Sequence, residues 1–205
     1  MKEKTCKVCL SEFKPARSFQ KVCSPKCAIK LVNTDKEKKK AKEWRLEKKI
    51  RKEKLKSKSE WVKEAESAFR RYIRARDRLF YAKQGKHPEC ISCGTTNPLI
   101  QYAAGHYKTK GAYPELRLDE RNCYLQCNKR CNMELSGNIN GTKDTHGYKE
   151  GLKMRFGDEE GKKIIDYLES HHPAENWTID DLSRMKSEFN KKANDIEKQL
   201  SDILT

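Results

Sequence analysis

The chain has 205 residues, with 46 Lys and Arg against 30 Asp and Glu, for a formal net charge of +16. Charged residues make up 37% and hydrophobic residues 35%, which is too polar for one large apolar core and favours small metal-stapled units joined by solvated helix. No apolar run is long enough to cross a bilayer, and Met1 to Thr5 leads into Cys6 without the apolar stretch of a signal peptide. Nine cysteines in such a chain point to metal ligation in a reducing cytoplasm and not to a secreted disulfide scaffold. The basic excess calls for a polyanion, and nucleic acid is the commonest.

In chain order, residues 1–32 carry Cys6-x2-Cys9 and Cys23-x3-Cys27 and read as a separate N-terminal zinc knuckle. From Asn33 to Glu60 there are 13 Lys or Arg against 6 Asp or Glu. This stretch reads as a long exposed helix or partly disordered linker, and as a phosphate-contacting arm or a spacer. From Trp61 the apolar residues Ala65, Ala68, Phe69, Tyr72, Ile73 and Phe80 recur at three and four, predicting an amphipathic helix with a buried face. Residues 33–84 thus form a basic helical arm. Residues 85–140 hold the other five cysteines and read as loop and strand. Residues 141–205 carry three helical runs, about His146–Phe156, Glu159–His171 and one from Thr178, whose hydroxyl can cap the helix with Asp181. Ile179, Leu182, Met185, Phe189, Ile196 and Leu200 give the last run an apolar stripe, for a core or a dimer contact.

Tetrahedral zinc takes four thiolates at about 2.3 Å. Cys6, Cys9, Cys23 and Cys27 form one such set, and Cys90, Cys93, Cys127 and Cys131 a second. Cys123 is either a buried thiol or a competing ligand.

Between the second pair of pairs, a strand runs into His106, a basic glycine-containing loop follows, and a second strand begins after Asn122. A helix is expected from Asn132. This is the layout of a ββα-metal nuclease. A histidine at the strand end can take a proton from water, and a hard divalent ion beside it, Mg²⁺ by its oxygen ligands, steadies the phosphate. In this reading Asn122 holds the loop and orients the imidazole of His106, while Asn132 offers an oxygen to the catalytic metal. Lys108, Lys110, Arg117 and Arg121 are placed to meet DNA phosphates. Taken by itself, His106 would be an ordinary histidine beside a zinc ribbon; its placement with Asn122 and Asn132 gives the reading its weight.

The segments Cys90-Ile91-Ser92-Cys93-Gly94, Ala104-Gly105-His106-Tyr107, Glu120-Arg121-Asn122, Cys127 to Asn132, Ser136-Gly137-Asn138 and Trp177-Thr178-Ile179 together resemble the NinG (Rap) recombination proteins of lambdoid phages. The central segment is also similar to phage resolvases of the endonuclease VII type. The resemblance implies an α+β fold with a zinc-stabilised, HNH-like ββα-metal core, and cleavage of Holliday junctions and D-loops in phage recombination. It implies two structural zinc ions and a catalytic Mg²⁺. It places the general-base role on His106 and metal binding on Asn132. Branched DNA as substrate favours a homodimer, in the cytoplasm of the bacterial host, with phage or host recombination proteins as further partners and no membrane. Two departures stand out. Gly105 occupies the position where many such nucleases carry a metal-binding acid, leaving Asp119, Glu120 or Glu134 as candidates, and the last cysteines are spaced x3. A non-catalytic zinc-ribbon protein that binds nucleic acid is the competing reading.

Overall fold

The computed structural model describes residues 2–204, and the chain divides into two compact units at Lys56 and Ser57. The first unit opens with a two-stranded antiparallel ladder, β1 (Lys4–Thr5) and β2 (Glu12–Phe13). A 30-residue helix follows, α1 (Pro25–Lys54). Ser24 caps it by accepting from the Cys27 amide, Pro25 supplies its preset φ to the first turn, and Arg51, Lys52 and Lys54 face the negative end of the helix dipole. Cys27 is the only buried residue of α1, so helix propensity and i,i+4 pairs such as Glu47 with Arg51 (3.7 Å) support the rest. The basic stretch is therefore helix and not disordered linker. It begins inside the knuckle because a knuckle cysteine occupies its first turn.

The second unit holds the remaining elements: α2 (Lys58–Ala82), β3 (Tyr102–His106), β4 (Cys123–Cys127), α3 (Gly147–Phe156), α4 (Asp158–Glu169) and α5 (Ile179–Leu204). A capping box between Ser57 and Glu60 starts α2. Thr178 and Asp181 make the reciprocal bonds at the start of α5. The β3–β4 hairpin is antiparallel, with His106 opposite Cys123 and Tyr102 opposite Cys127.

Alternation along the hairpin sends Ala104 and Cys123 to one face, where they join Phe69, Tyr72 and Ile73 of α2 and Leu182, Phe189 and Ala193 of α5. Tyr124 faces the other way and packs with Tyr148, Leu152, Ile164 and Leu168 of α3 and α4. Unit two is thus a hairpin between two helix pairs, which is why residues 57–84 and 141–204 belong to the same body as the central segment. The apolar stripes of α2 and α5 cover each other within one chain, so a dimer would need a different surface. Gly151 lets α3 approach closely: a Cβ there would meet the Ile91 carbonyl oxygen at 1.6 Å.

Candidate functional site

Two four-cysteine clusters form, Cys6/Cys9/Cys23/Cys27 and Cys90/Cys93/Cys127/Cys131, each with its sulfurs within 4.8 Å of one another. A tetrahedron with bonds of about 2.3 Å has edges of about 3.8 Å. The Sγ separations of Cys23–Cys27 (3.7 Å), Cys90–Cys127 (3.8 Å) and Cys93–Cys127 (3.8 Å) match it, and Cys9–Cys23 is somewhat tighter at 3.4 Å. Backbone amides orient the sulfurs, Cys23 toward Cys6 (3.4 Å) and Cys131 toward Cys127 (3.3 Å). Backbone hydrogen bonds, led by that of Cys9, draw the Cys6 thiol down to about 6, while Cys23, hydrogen-bonded to Cys9 and Cys6, is pushed up to about 11. Both donor sets fit zinc. Cys123 belongs to neither: it is fully buried on β4, and burial raises its thiol well above the ordinary value.

His106 ends β3 half-buried. Its Nε2 lies 3.0 Å from the Arg117 carbonyl oxygen, which can only accept, so Nε2 carries the proton and Nδ1 keeps the lone pair of the neutral ring. Nδ1 is 4.0 Å from Cys123 Sγ, and Phe69 of α2 flanks the ring at 6.2 Å. Burial lowers the imidazole pKa below its ordinary value, partly offset by the Arg117 carbonyl, so the ring is neutral at pH 7.

Asn122 is fully buried and ties the loop between the strands. Its Oδ1 accepts from the Lys108 amide (2.7 Å), and its Nδ2 donates to the carbonyls of Lys108 (3.0 Å) and Leu116 (2.9 Å). The Leu116 bond lies one residue from the carbonyl that holds His106. Asn132 lies on a π-helical turn, Asn128–Glu134, and donates through Nδ2 to Asn128 Oδ1 (3.2 Å). Among the described residues no hydrogen bond joins Asn132 to His106.

The four basic residues singled out above fare differently. Lys110 Nζ and Arg117 Nε lie 2.8 and 3.3 Å from the Glu66 carboxylate. Arg121 is tied to Asp119 (2.8 Å) and stacks on Tyr167, with its Cζ 3.5 Å from the ring centroid. Lys108 lies over Tyr113 at 4.9 Å. Of the candidate acids, Asp119 is engaged by Arg121 and Tyr167, and Glu120 by Tyr72 and Lys192. Glu134 is exposed on the π-helical turn. A Cβ on Gly105 would meet Gln126 Oε1 at 1.9 Å, so an acid at this position would require the buried Gln126 side chain to move. The carboxylate that bears on His106 is Glu66, from α2. Sequence reasoning missed it because a glutamate in an amphipathic helix carries no mark of burial. The signal available was its place, beside Ala65 and three residues before Phe69 on the apolar stripe.

For a hard dication the fit is narrower than for zinc. Among the described residues no third group of three or more His, Cys, Asp or Glu ligands gathers, at His106 or elsewhere. Magnesium commonly takes only one or two protein oxygens and fills the rest with water and phosphate. Asn132 Oδ1, with no hydrogen-bond partner among the described residues, suits that chemistry; Glu66, flanked by Lys110, Arg117 and Arg70, does not.

A family model described as Bacteriophage Lambda NinG protein matches residues 1–199. The chain is similar to "Protein ninG" of Escherichia phage lambda, 36% identical over 208 residues, covering 95% of this chain and 92% of the relative. It is 35% identical over 211 residues to the protein of the same description in Escherichia phage 933W (96% and 95% covered). It is 36% identical over 208 residues to that of Salmonella phage P22 (95% and 93%). No solved structure matches.

Proposed function

The chain belongs to the NinG family of lambdoid phages, and on that premise we propose that it is a metal-dependent endonuclease of branched DNA, acting on Holliday junctions and D-loops in the cytoplasm of the bacterial host. The observation that carries the reading is the His106 imidazole. It is held by one nitrogen on a backbone carbonyl, neutral at pH 7, and placed at a strand end beside Lys110 and Arg117. In this mechanism Nδ1 accepts a proton from the attacking water while Nε2–H stays on the Arg117 carbonyl. Asn122 keeps the loop, and with it the imidazole, in register. An incoming phosphate competes with Glu66 for Lys110 and Arg117, so the cations are preorganised in the free protein and transferred to substrate. Magnesium, when bound, supplies charge stabilisation for the phosphate and its leaving oxygen, and Asn132 would hold it. The zinc-clamped hairpin, an HNH-like ββα-metal core in this reading, supplies the rigid platform. Two-fold branched substrates favour a homodimer, alone or with phage or host recombination proteins.

One observation favours the competing reading of a zinc-ribbon nucleic-acid-binding accessory protein. Nδ1 faces the Cys123 thiol, with Glu66 already pairing with the nearest cations. The two readings separate in a cleavage assay on a synthetic four-way junction, with and without Mg²⁺. The expected result is cutting by the wild type with Mg²⁺, and loss of cutting with binding retained in His106→Ala. Undiminished cutting by the variant removes His106 as base. A wild type that binds the junction but never cuts it, whichever divalent ion is supplied, establishes the accessory reading.

A further inference from the structure

α2 carries a second feature on the side away from its core stripe. Arg70, Arg74 and Arg78 recur at i, i+4 and i+8, so they stand one above the next at about 6 Å intervals along the axis. Like charges at i,i+4 destabilise a helix, so the row works against the stability of α2. After burial, the largest influences lowering the pKa of Arg74 are Arg78 and Arg70.

The other arginines of this unit show what a structural arginine looks like. Arg71 forks onto Glu197, with its Nε 2.9 Å from Oε1. Arg76 and Arg155 both reach Asp77 (2.9 and 2.8 Å). Among the described residues Arg74 and Arg78 have no ion-pair partner. Arg70 lies 4.0 Å from Glu66, a carboxylate that Lys110 already holds at 2.8 Å. The row also has a direction. The charge of Arg70 acts on the His106 ring, and those of Arg70 and Arg74 act on Cys123, the residue opposite His106 in the hairpin.

We propose that Arg70, Arg74 and Arg78 form a phosphodiester-binding track along α2 that takes the sugar-phosphate backbone of a DNA strand toward the His106 end of the hairpin. A guanidinium row of regular spacing, with two of its three members free of ion-pair partners among the described residues, suits a polyanion of regular charge, and arginine meets phosphate with a planar, bidentate fork. Such contacts position the strand without reading its sequence. The destination of the track rests on the nuclease reading above, but its ligand does not, so the test is one of binding.

The full-length, zinc-loaded protein is titrated against a fluorescein-labelled four-way junction by anisotropy from 50 to 300 mM NaCl. Wild type is compared with R74Q/R78Q, R74K/R78K and a control pair, K162Q/K198Q, on exposed faces of α4 and α5. Loss of two phosphate contacts lowers the slope of log K against log salt by about 1.8 and weakens binding about 10- to 60-fold at 0.1 M salt. The expected result is that R74Q/R78Q shows this loss with an unchanged melting temperature, that R74K/R78K keeps most of the slope, and that the control pair behaves as wild type. An unchanged slope in R74Q/R78Q overturns the track, as does an equal loss in the control pair or a wild type with no measurable affinity for the junction. A wild type that binds through these arginines and never cuts leaves the track standing and removes the nuclease.

Discussion

Replacing Asn122 tests the link between the loop and the imidazole most directly. Its amide satisfies one buried donor and two acceptors at once, Lys108 N–H, Lys108 C=O and Leu116 C=O, with no exposure to solvent. Asn122→Ala strands all three groups. At about 1–1.5 kcal/mol for each hydrogen bond, the loss is about 3–4.5 kcal/mol, against a total stability of about 5–15 kcal/mol for a domain. Asn122→Asp keeps the shape and the bond from Lys108 N–H, but it turns a carboxylate oxygen toward two carbonyls in a buried site and is at least as costly. Urea unfolding in zinc-saturated buffer, followed by far-UV circular dichroism, reads this out. With a denaturant slope of about 2 kcal/mol/M, both midpoints fall by about 1.5–2.3 M. A shift under about 0.5 M in either variant, or an Asp variant matching wild type, would refute the account of Asn122 as the tie of this loop.

Two further outcomes follow from the metal clusters and from His106. Wild-type protein carries two equivalents of zinc by atomic absorption and Cys131→Ser carries one. Strong chelators collapse the helical signal, because structural zinc contributes about 10 kcal/mol or more to small modules; a metal-free protein with wild-type dichroism contradicts this. The lowered pKa of His106 means that the unfolded chain binds the proton more tightly than the native one. Its contribution is complete above about pH 6.5, the unfolded value, and is lost as pH falls through the lowered native one. The urea midpoint of wild type relative to His106→Gln should therefore drop between pH 7 and pH 5. A constant difference would show that burial leaves the imidazole unperturbed.

Much of the scaffold was legible because its signals are local. The three-and-four recurrence from Trp61 to Phe80 is α2, the Thr178–Asp181 pair opens α5, and the two cysteine quartets converge as their spacing indicates. The Asn122 amide bonds the Lys108 amide and the Leu116 carbonyl of the loop between the strands, a contact of short sequence separation. What escaped was long-range. Glu66 is a polar residue in a helix until Lys110 and Arg117, more than forty positions away, close over it. Arg74 and Arg78, in line with Arg70, look like any solvated cations until their neighbours are seen to be paired and they are not. The contact of His146 Nε2 with the Ile91 carbonyl oxygen (3.0 Å) is likewise long-range, because it depends on Gly151 letting α3 approach that strandless segment. Gly105 looked like a missing acid; as the chain packs, the buried Gln126 side chain fills the space a Cβ would take.

Asp77 has no exposure, and it receives the Leu125 amide of β4 (2.7 Å), its helix neighbour Arg76 and Arg155 of α3. One carboxylate therefore anchors pieces of chain separated by nearly eighty positions, and β4 carries a cysteine of the second cluster at its far end. Loss of the metal from Cys127 would loosen the same strand that this carboxylate grips, so damage at the sulfur cluster would travel to α3 instead of staying local. Chelation and heat should consequently melt the hairpin and its flanking helices in a single step.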